Sequence, residues 1–173
     1  MTHSEYTNYF RALCEKHKDL QHSDQEQHFA RIVLSVDELG HSNLDDFLMN
    51  ENSGLVSPFM ILASAENVYE DDKSDNIKKH FAGMFWLLTT SEQEFNAEEE
   101  AYDRMEKLAE QFLSRMKLNF SDRINNRMYS LQESTISKVG RIGLYLGVRV
   151  GFQFFTTANQ ALAYDAANWI GGR

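Results

Sequence analysis

The sequence is short of several things, and each shortage excludes a class of protein. It has one cysteine, Cys14, so no intramolecular disulfide framework is available and a reducing compartment is expected. It has one proline, Pro58, and nine glycines, too few for a Pro-rich linker or a collagen-like repeat. Basic residues are in deficit: 17 Lys and Arg stand against 26 Asp and Glu, a formal net charge of -9. A general binder of phosphate backbones needs the opposite balance. No long apolar run is present. The stretch Met1–Leu20 has no continuous apolar segment of the secretory kind. The longest apolar stretch, Ile142–Phe155, is interrupted by Arg149 and Gln153, and a spanning helix needs about 20 apolar residues, so no membrane partner is expected.

What is present fits a globular chain. Of 173 residues, 42% are hydrophobic and 25% charged, enough to bury a core without staples. Thr2 and Glu5 have capping-box spacing, and Tyr6, Phe10, Leu13 and His17 follow on one helical face. His28–Val36 reads as a strand. Ser42 and Asp45 open a short helix with Leu44, Phe47 and Leu48 on its buried side, and Asn50–Ser57 reads as a loop. Pro58 begins a strand that continues to Tyr69. After the acidic turn Glu70–Asn76 the chain returns through Ile77–Thr90, forming a long antiparallel hairpin. Both runs are apolar on both alternating faces, with Phe59 and Ile61 against Met60 and Leu62, and Phe85 and Leu87 against Trp86 and Leu88. Strands of that kind are covered on both sides.

Asn96–Leu118 carries the clearest helical pattern. Asn96 is read as the cap, Glu98–Glu100 suit the positive end of the helix dipole, and Tyr102, Met105, Ala109, Phe112 and Met116 form the buried stripe. Leu108 and Leu113 widen it. Glu100–Arg104 and Asp103–Lys107 have ion-pair spacing. Two strands close the sequence, Met128–Ile136 and Arg141–Thr157. The second places Ile142, Leu144, Leu146, Val148, Val150, Phe152 and Phe154 on one face. Its other face carries Gly143, Tyr145, Gly147, Arg149, Gly151 and Gln153.

The expected fold is α+β, in the order α-β-(α)-β-β-α-β-β. A single mainly antiparallel sheet carries the N-terminal helix and the long helix on one face. Residues 1–157 are read as one domain and residues 158–173 as a C-terminal arm ending in Trp169 and Ile170.

Chemistry is sparse. Cys14 and His17 sit three apart on the first helix, the spacing of a thiolate–imidazole pair, but Cys14 lies beside the apolar stripe, where a buried thiol is inert. None of the six histidines falls in a zinc spacing, so no metal site and no cofactor are expected. Glu99, Asp103, Glu106 and Glu110 read as a solvated helix face. The Glu70–Asp75 turn has the composition of a calcium loop without its ordered spacing. No nucleophile, base and oxyanion donors converge, so the expectation is a protein that is not an enzyme.

The glycines at 143, 147 and 151 leave a flat strand surface studded with Tyr145, Arg149 and Gln153, which marks close approach by another element. Arg149 does not lie unpaired in a dry interior. This face is therefore expected to be an assembly or lumen surface, and bulk added at Gly147 is expected to spare the monomer fold. Trp169 and Ile170 are the expected arm contacts on a neighbour.

The element order and character resemble the phage tail-terminator, or tail-completion, proteins. The matching features are the N-terminal helix, the Pro-led strand Pro58–Ala65, the acidic turn, the returning strand His80–Thr90, the acid-opened helix Asn96–Leu118 and the closing strand Arg141–Thr157. The strand His28–Val36 with its short helix, and the tail after Thr157, depart from the pattern. The resemblance implies a structural subunit of a virion tail or neck, made in the host cytoplasm. It would form a homo-oligomeric ring of six at the head-proximal end of the tail tube, or cap a phage-like contractile particle. Its partners would be tail-tube, sheath or head-connector proteins. DNA would pass through the lumen without sequence-specific binding, with which an acidic subunit is compatible. Trp86, Phe155, Trp169 and Ile170 would be surfaces that neighbours cover. An acidic α+β adaptor or regulatory binding module is the alternative that the residues themselves leave open.

Overall fold

The structure is a computed structural model. It describes residues 1–33, 41–50, 54–71, 77–121, 130–158, 162, 163 and 165; at 41–43, 49, 50, 121, 130, 132, 156 and 157 only the backbone is described. The fold is α+β, one six-stranded mixed sheet with three helices: α1 (His3–Lys16), β1 (Gln27–Ile32), α2 (His41–Asn50), β2 (Leu55–Ala63), β3 (Glu66–Glu70), β4 (Lys78–Thr90), α3 (Phe95–Ser121), β5 (Ser130–Ile142) and β6 (Tyr145–Thr157).

The strands lie in the order β1-β2-β4-β6-β5, with β3 also on β4. Among the described residues only β1–β2 is parallel, and the other pairings are antiparallel. The centre is β4–β6, paired from Lys78–Thr157 to Thr90–Tyr145. The expected long hairpin is present with a break. β2 pairs β4 through Phe59–Leu88 to Leu62–Phe85, and β3 resumes on the same strand at Glu66–Ala82, so Ser64 and Ala65 interrupt one extended strand. Ser64 N–H leaves the ladder to donate to the Ile32 carbonyl on β1.

Local signals explain the elements. Thr2 Oγ1 accepts from Glu5 N–H at 3.2 Å and Glu5 Oε2 accepts from Thr2 N–H at 2.7 Å, closing the capping box that starts α1. The buried face of α1 is Tyr6, Phe10 and Cys14; Leu13 and His17 flank it rather than define it. In α3 the Glu94 carbonyl accepts from Glu98 N–H at 2.9 Å, so the helix starts before Asn96, which lies inside the first turn instead of capping it. The stripe Met105, Leu108, Ala109, Phe112 and Met116 is buried and extends to Ala101 and Phe120. Neither Glu100–Arg104 nor Asp103–Lys107 closes into an ion pair among the described residues; Arg104 turns to the Thr89 hydroxyl instead.

Several strand boundaries differ from expectation, and β5 runs on to Ile142 instead of ending at Ile136. β1 ends at Ile32, and Val33 is exposed; the remainder of the expected strand, 34–36, lies outside the described residues. β2 starts at Leu55, so Pro58 sits inside it. Proline is tolerated there because the β1–β2 register jumps from Gln27–Leu55 to Phe29–Met60, and no ladder bond is asked of its nitrogen. His28, buried, donates from Nδ1 to the Pro58 carbonyl at 2.7 Å. At the other end of the sheet, Gly143 has φ +60 and with Leu144 forms a two-residue turn between β5 and β6. Glycine at the first turn position is what such a hairpin requires. The stripe expected to run from Ile142 to Phe154 therefore begins at Leu146, with Leu144 exposed at the tip.

Each sheet face has its own core. On one face α1 and α3 pack over Met60, Leu62, Phe81, Phe85, Leu87 and the β6 residues Val148, Val150, Phe152 and Phe154. On the other, Leu44 and Leu48 of α2 join Ile32, Phe59, Ile61, Trp86 and Leu88. The chain itself thus covers both faces of the β2–β4 pair. Trp86, expected to meet a neighbour, is buried here.

Candidate functional site

Pairing across β4, β6 and β5 places the expected site residues in rows on the α2 side of the sheet. Leu88, Gly147 and Val139 form one row, Trp86, Arg149 and Ser137 the next, and Met84, Gly151 and Thr135 the third. The first row belongs to the core. Gly147 is buried, and a Cβ built on it would collide with the Leu87 carbonyl of β4. This corrects the expectation for Gly147: its missing side chain is filled by the adjacent backbone of the same sheet, not by a neighbour or a lumen. Tyr145 is also drawn inward, its ring edge-to-face with Phe59 at 5.0 Å. Gly143 belongs to the exposed turn and not to the strand face.

The remaining expected residues form an open surface. Arg149 is exposed and has no ion-pair partner among the described residues. Gly151 is half-buried, and a Cβ there would meet only the Thr135 hydroxyl at 2.9 Å. Gln153 lies between Ala82 and Glu133. Beyond it Phe155 packs near His80, whose Nε2–H donates to Glu70 at 2.8 Å. Among the described residues, Met84 is the one side chain of this half that packs against the cluster holding Leu44 and Leu48 of α2. Trp169 and Ile170 lie outside the described residues, as do residues 72–76 of the acidic turn.

The Cys14–His17 pair does not form. Cys14 is fully buried with its thiol toward Met60 Sδ at 3.7 Å, and burial, with the Glu15 charge adding to it, pushes the thiol well above its ordinary range. His17 Nδ1 accepts from Asp19 N–H at 3.2 Å, so its Nε2–H donates to Gln111 Oε1 at 2.8 Å. No group of three His, Cys, Asp or Glu side chains suited to a metal occurs among the described residues.

A second feature escaped the sequence reading. Between α1 and α3 lie two hollows of about 450 and 580 Å³ that share Gln111. Lys18, Arg104 and Lys107 line the first over Pro58, Met105 and Leu108; Lys16 and Arg115 line the second over Phe112. Arg104 is held by the buried Thr89 hydroxyl, which contacts Ser57 Oγ at 2.9 Å. Among the described residues, Asp19 is the only acidic side chain lining either hollow. The spacing of Arg104, Lys107, Gln111 and Arg115 on one helical face was visible in the sequence. That α1 and the turn after it would bring Lys16 and Lys18 opposite them was not.

No family model matches the chain, and no curated protein matches it significantly.

Proposed function

We propose that the chain is a non-enzymatic structural subunit of a phage or phage-like tail. In this reading it is a tail terminator or neck protein that closes into a ring at the head-proximal end of the tail tube. The sequence resemblance supplies the tail and the ring of six. The observation that carries the reading on the structural side is the half-open sheet face around Arg149, Gly151 and Gln153. Gly151 and Ala82 present little side chain there, and the face leaves a guanidinium without an ion pair among the described residues. Such a surface suits close approach by another backbone. The net charge of -9 suits a conduit along which DNA slides without being gripped.

The test is light scattering on the purified protein, alone and with purified tail-tube ends. A ring in either condition is expected; a monomer that also ignores tube ends overturns the reading. An acidic α+β adaptor is the second reading, favoured by the basic hollows between α1 and α3, which suit an acidic partner.

A further inference from the structure

Charge on helix α3 is largely, though not wholly, divided between two flanks. Its buried stripe contains Met105, Leu108, Phe112 and Met116. At 3.6 residues per turn, Arg104, Lys107 and Arg115 fall on one flank of that stripe, with Glu100 among them, and Glu99, Asp103, Glu106 and Glu110 on the other, with Lys117 among them. The basic flank faces α1 and the turn after it, where Lys16 and Lys18 complete the lining of the two hollows. The acidic flank faces the β5 side, where Glu99 reaches Lys138 at 2.9 Å. Asp103, Glu106 and Glu110 are exposed, and none of them pairs with a cation among the described residues. Lys16, Lys18, Lys107 and Arg115 likewise have no ion-pair partner among the described residues. A chain with net charge -9 thus gathers five of its 17 basic residues along one groove and leaves an acidic ridge on the same helix.

We propose that the groove between α1 and α3 receives the acidic flank of α3 from a second copy of this chain, so that copies join head to tail. The argument for this occupant is charge complementarity. The groove presents cations over an apolar floor of Met105, Leu108 and Phe112, and the ridge of Asp103, Glu106 and Glu110 presents anions at helical spacing. Opposite charges brought together steer encounter and fix register. Groove and ridge are different surfaces of one subunit, so each copy donates one and accepts with the other. A contact of that kind is heterologous and closes into a ring when its rotation permits. The inference deepens the ring reading proposed above and rests on it.

The experiment is sedimentation velocity on the full chain and two double variants. One carries Lys16→Glu and Lys107→Glu in the groove; the other carries Glu106→Lys and Glu110→Lys on the ridge. All four side chains are exposed, and unfolding midpoints matching the parent confirm that each variant folds. The parent is expected to associate, and to do so more weakly as salt rises. Each variant alone is expected to associate roughly tenfold or more weakly, because like charges then face each other. An equimolar mixture of the two is expected to regain association, since one variant offers acid on both surfaces and the other base.

A parent that stays monomeric at high concentration and low salt overturns the proposal. So does a variant that associates like the parent, or a mixture that recovers nothing. Binding of inorganic phosphate by a non-associating parent would assign the groove to small anions instead. Rings formed equally by the parent and both variants would remove this interface and leave the ring reading standing. Mutual rescue by the variants into open chains that ignore tube ends would keep the interface and remove the ring and tail assignment.

Discussion

The Cα of Gly147 lies so close to the Leu87 carbonyl of β4 that a Cβ on Gly147 would overlap it. The obstacle is backbone in the middle of the sheet, and no side-chain rotation relieves it. Gly147→Val is therefore expected to destabilise the isolated subunit by roughly 3 kcal/mol or more. Gly151→Ala meets only the movable Thr135 hydroxyl and is expected to cost about 1 kcal/mol or less. Urea unfolding of the two variants beside the parent measures the contrast.

Gly83 does the same service on the opposite face. A Cβ there would overlap the Phe152 ring and lie 2.7 Å from the Tyr6 hydroxyl. Both neighbours are large, buried aromatics at the junction of α1 with the sheet. Gly83→Ala is expected to cost about 1–3 kcal/mol, from overpacking. Combining it with Phe152→Leu, which makes room, is expected to cost less than the sum of the two single changes. A double-mutant cycle in denaturant checks this.

Arg141 ties the β4–α3 connection to β5. Its Nε and Nη2 donate to Glu98 Oε1 at 3.0 and 2.6 Å, and its guanidinium also donates to the Ser91 and Glu92 carbonyls at 3.1 and 3.0 Å. Replacement by Ala leaves two carbonyls and a half-buried carboxylate without these donors, at a cost of about 1–3 kcal/mol. Arg141→Lys is expected to recover less than half of that, because an ammonium cannot reproduce the planar fork. Thermal unfolding of the pair is the measurement.

His22 makes the start of β1 sensitive to acid. Its Nδ1 accepts from His28 N–H at 3.1 Å, which requires that nitrogen to be unprotonated. Burial, then the Arg11 charge, lower its pKa from the ordinary histidine value; His28 also lowers it, while Glu15 and Asp24 oppose the shift. A group whose folded pKa is depressed contributes stability that is present above the unfolded value, about 6.5, and is lost as pH falls through the folded value. Unfolding free energy should therefore fall as the solution is acidified below about pH 6.5. The slope should be smaller in His22→Ala, and an unchanged slope would refute the assignment.

Much of the fold was legible in the chain because its signals are local. Thr2 and Glu5 form the capping box, and α3 buries the stripe of Met105, Phe112 and Met116, since both depend on residues within a turn or two of one another. The two-faced apolar strands correctly implied cover on both sides. What covers the second face, Leu44 and Leu48 of α2, depends on a packing that period-2 alternation does not encode. Trp86 was therefore misplaced at a neighbour's surface. Of the expected site, Arg149, Gly151 and Gln153 lie on the open half of the face, whereas Tyr145 and Gly147 are drawn into its packed half.

The sequence by itself determined the α+β class, the start of α1, the buried stripe of α3, the central strands and the alternating faces of β6, because capping and periodicity act over a few residues. Only the tertiary structure decided that Gly143 turns the chain, that Gly147 lies under backbone while Gly151 stays open, and that basic residues of α1 and α3 share one groove. Those outcomes depend on which strand lies beside which and how closely. Cross-strand register and helix placement are set by packing between residues far apart in the chain, and no local pattern records them.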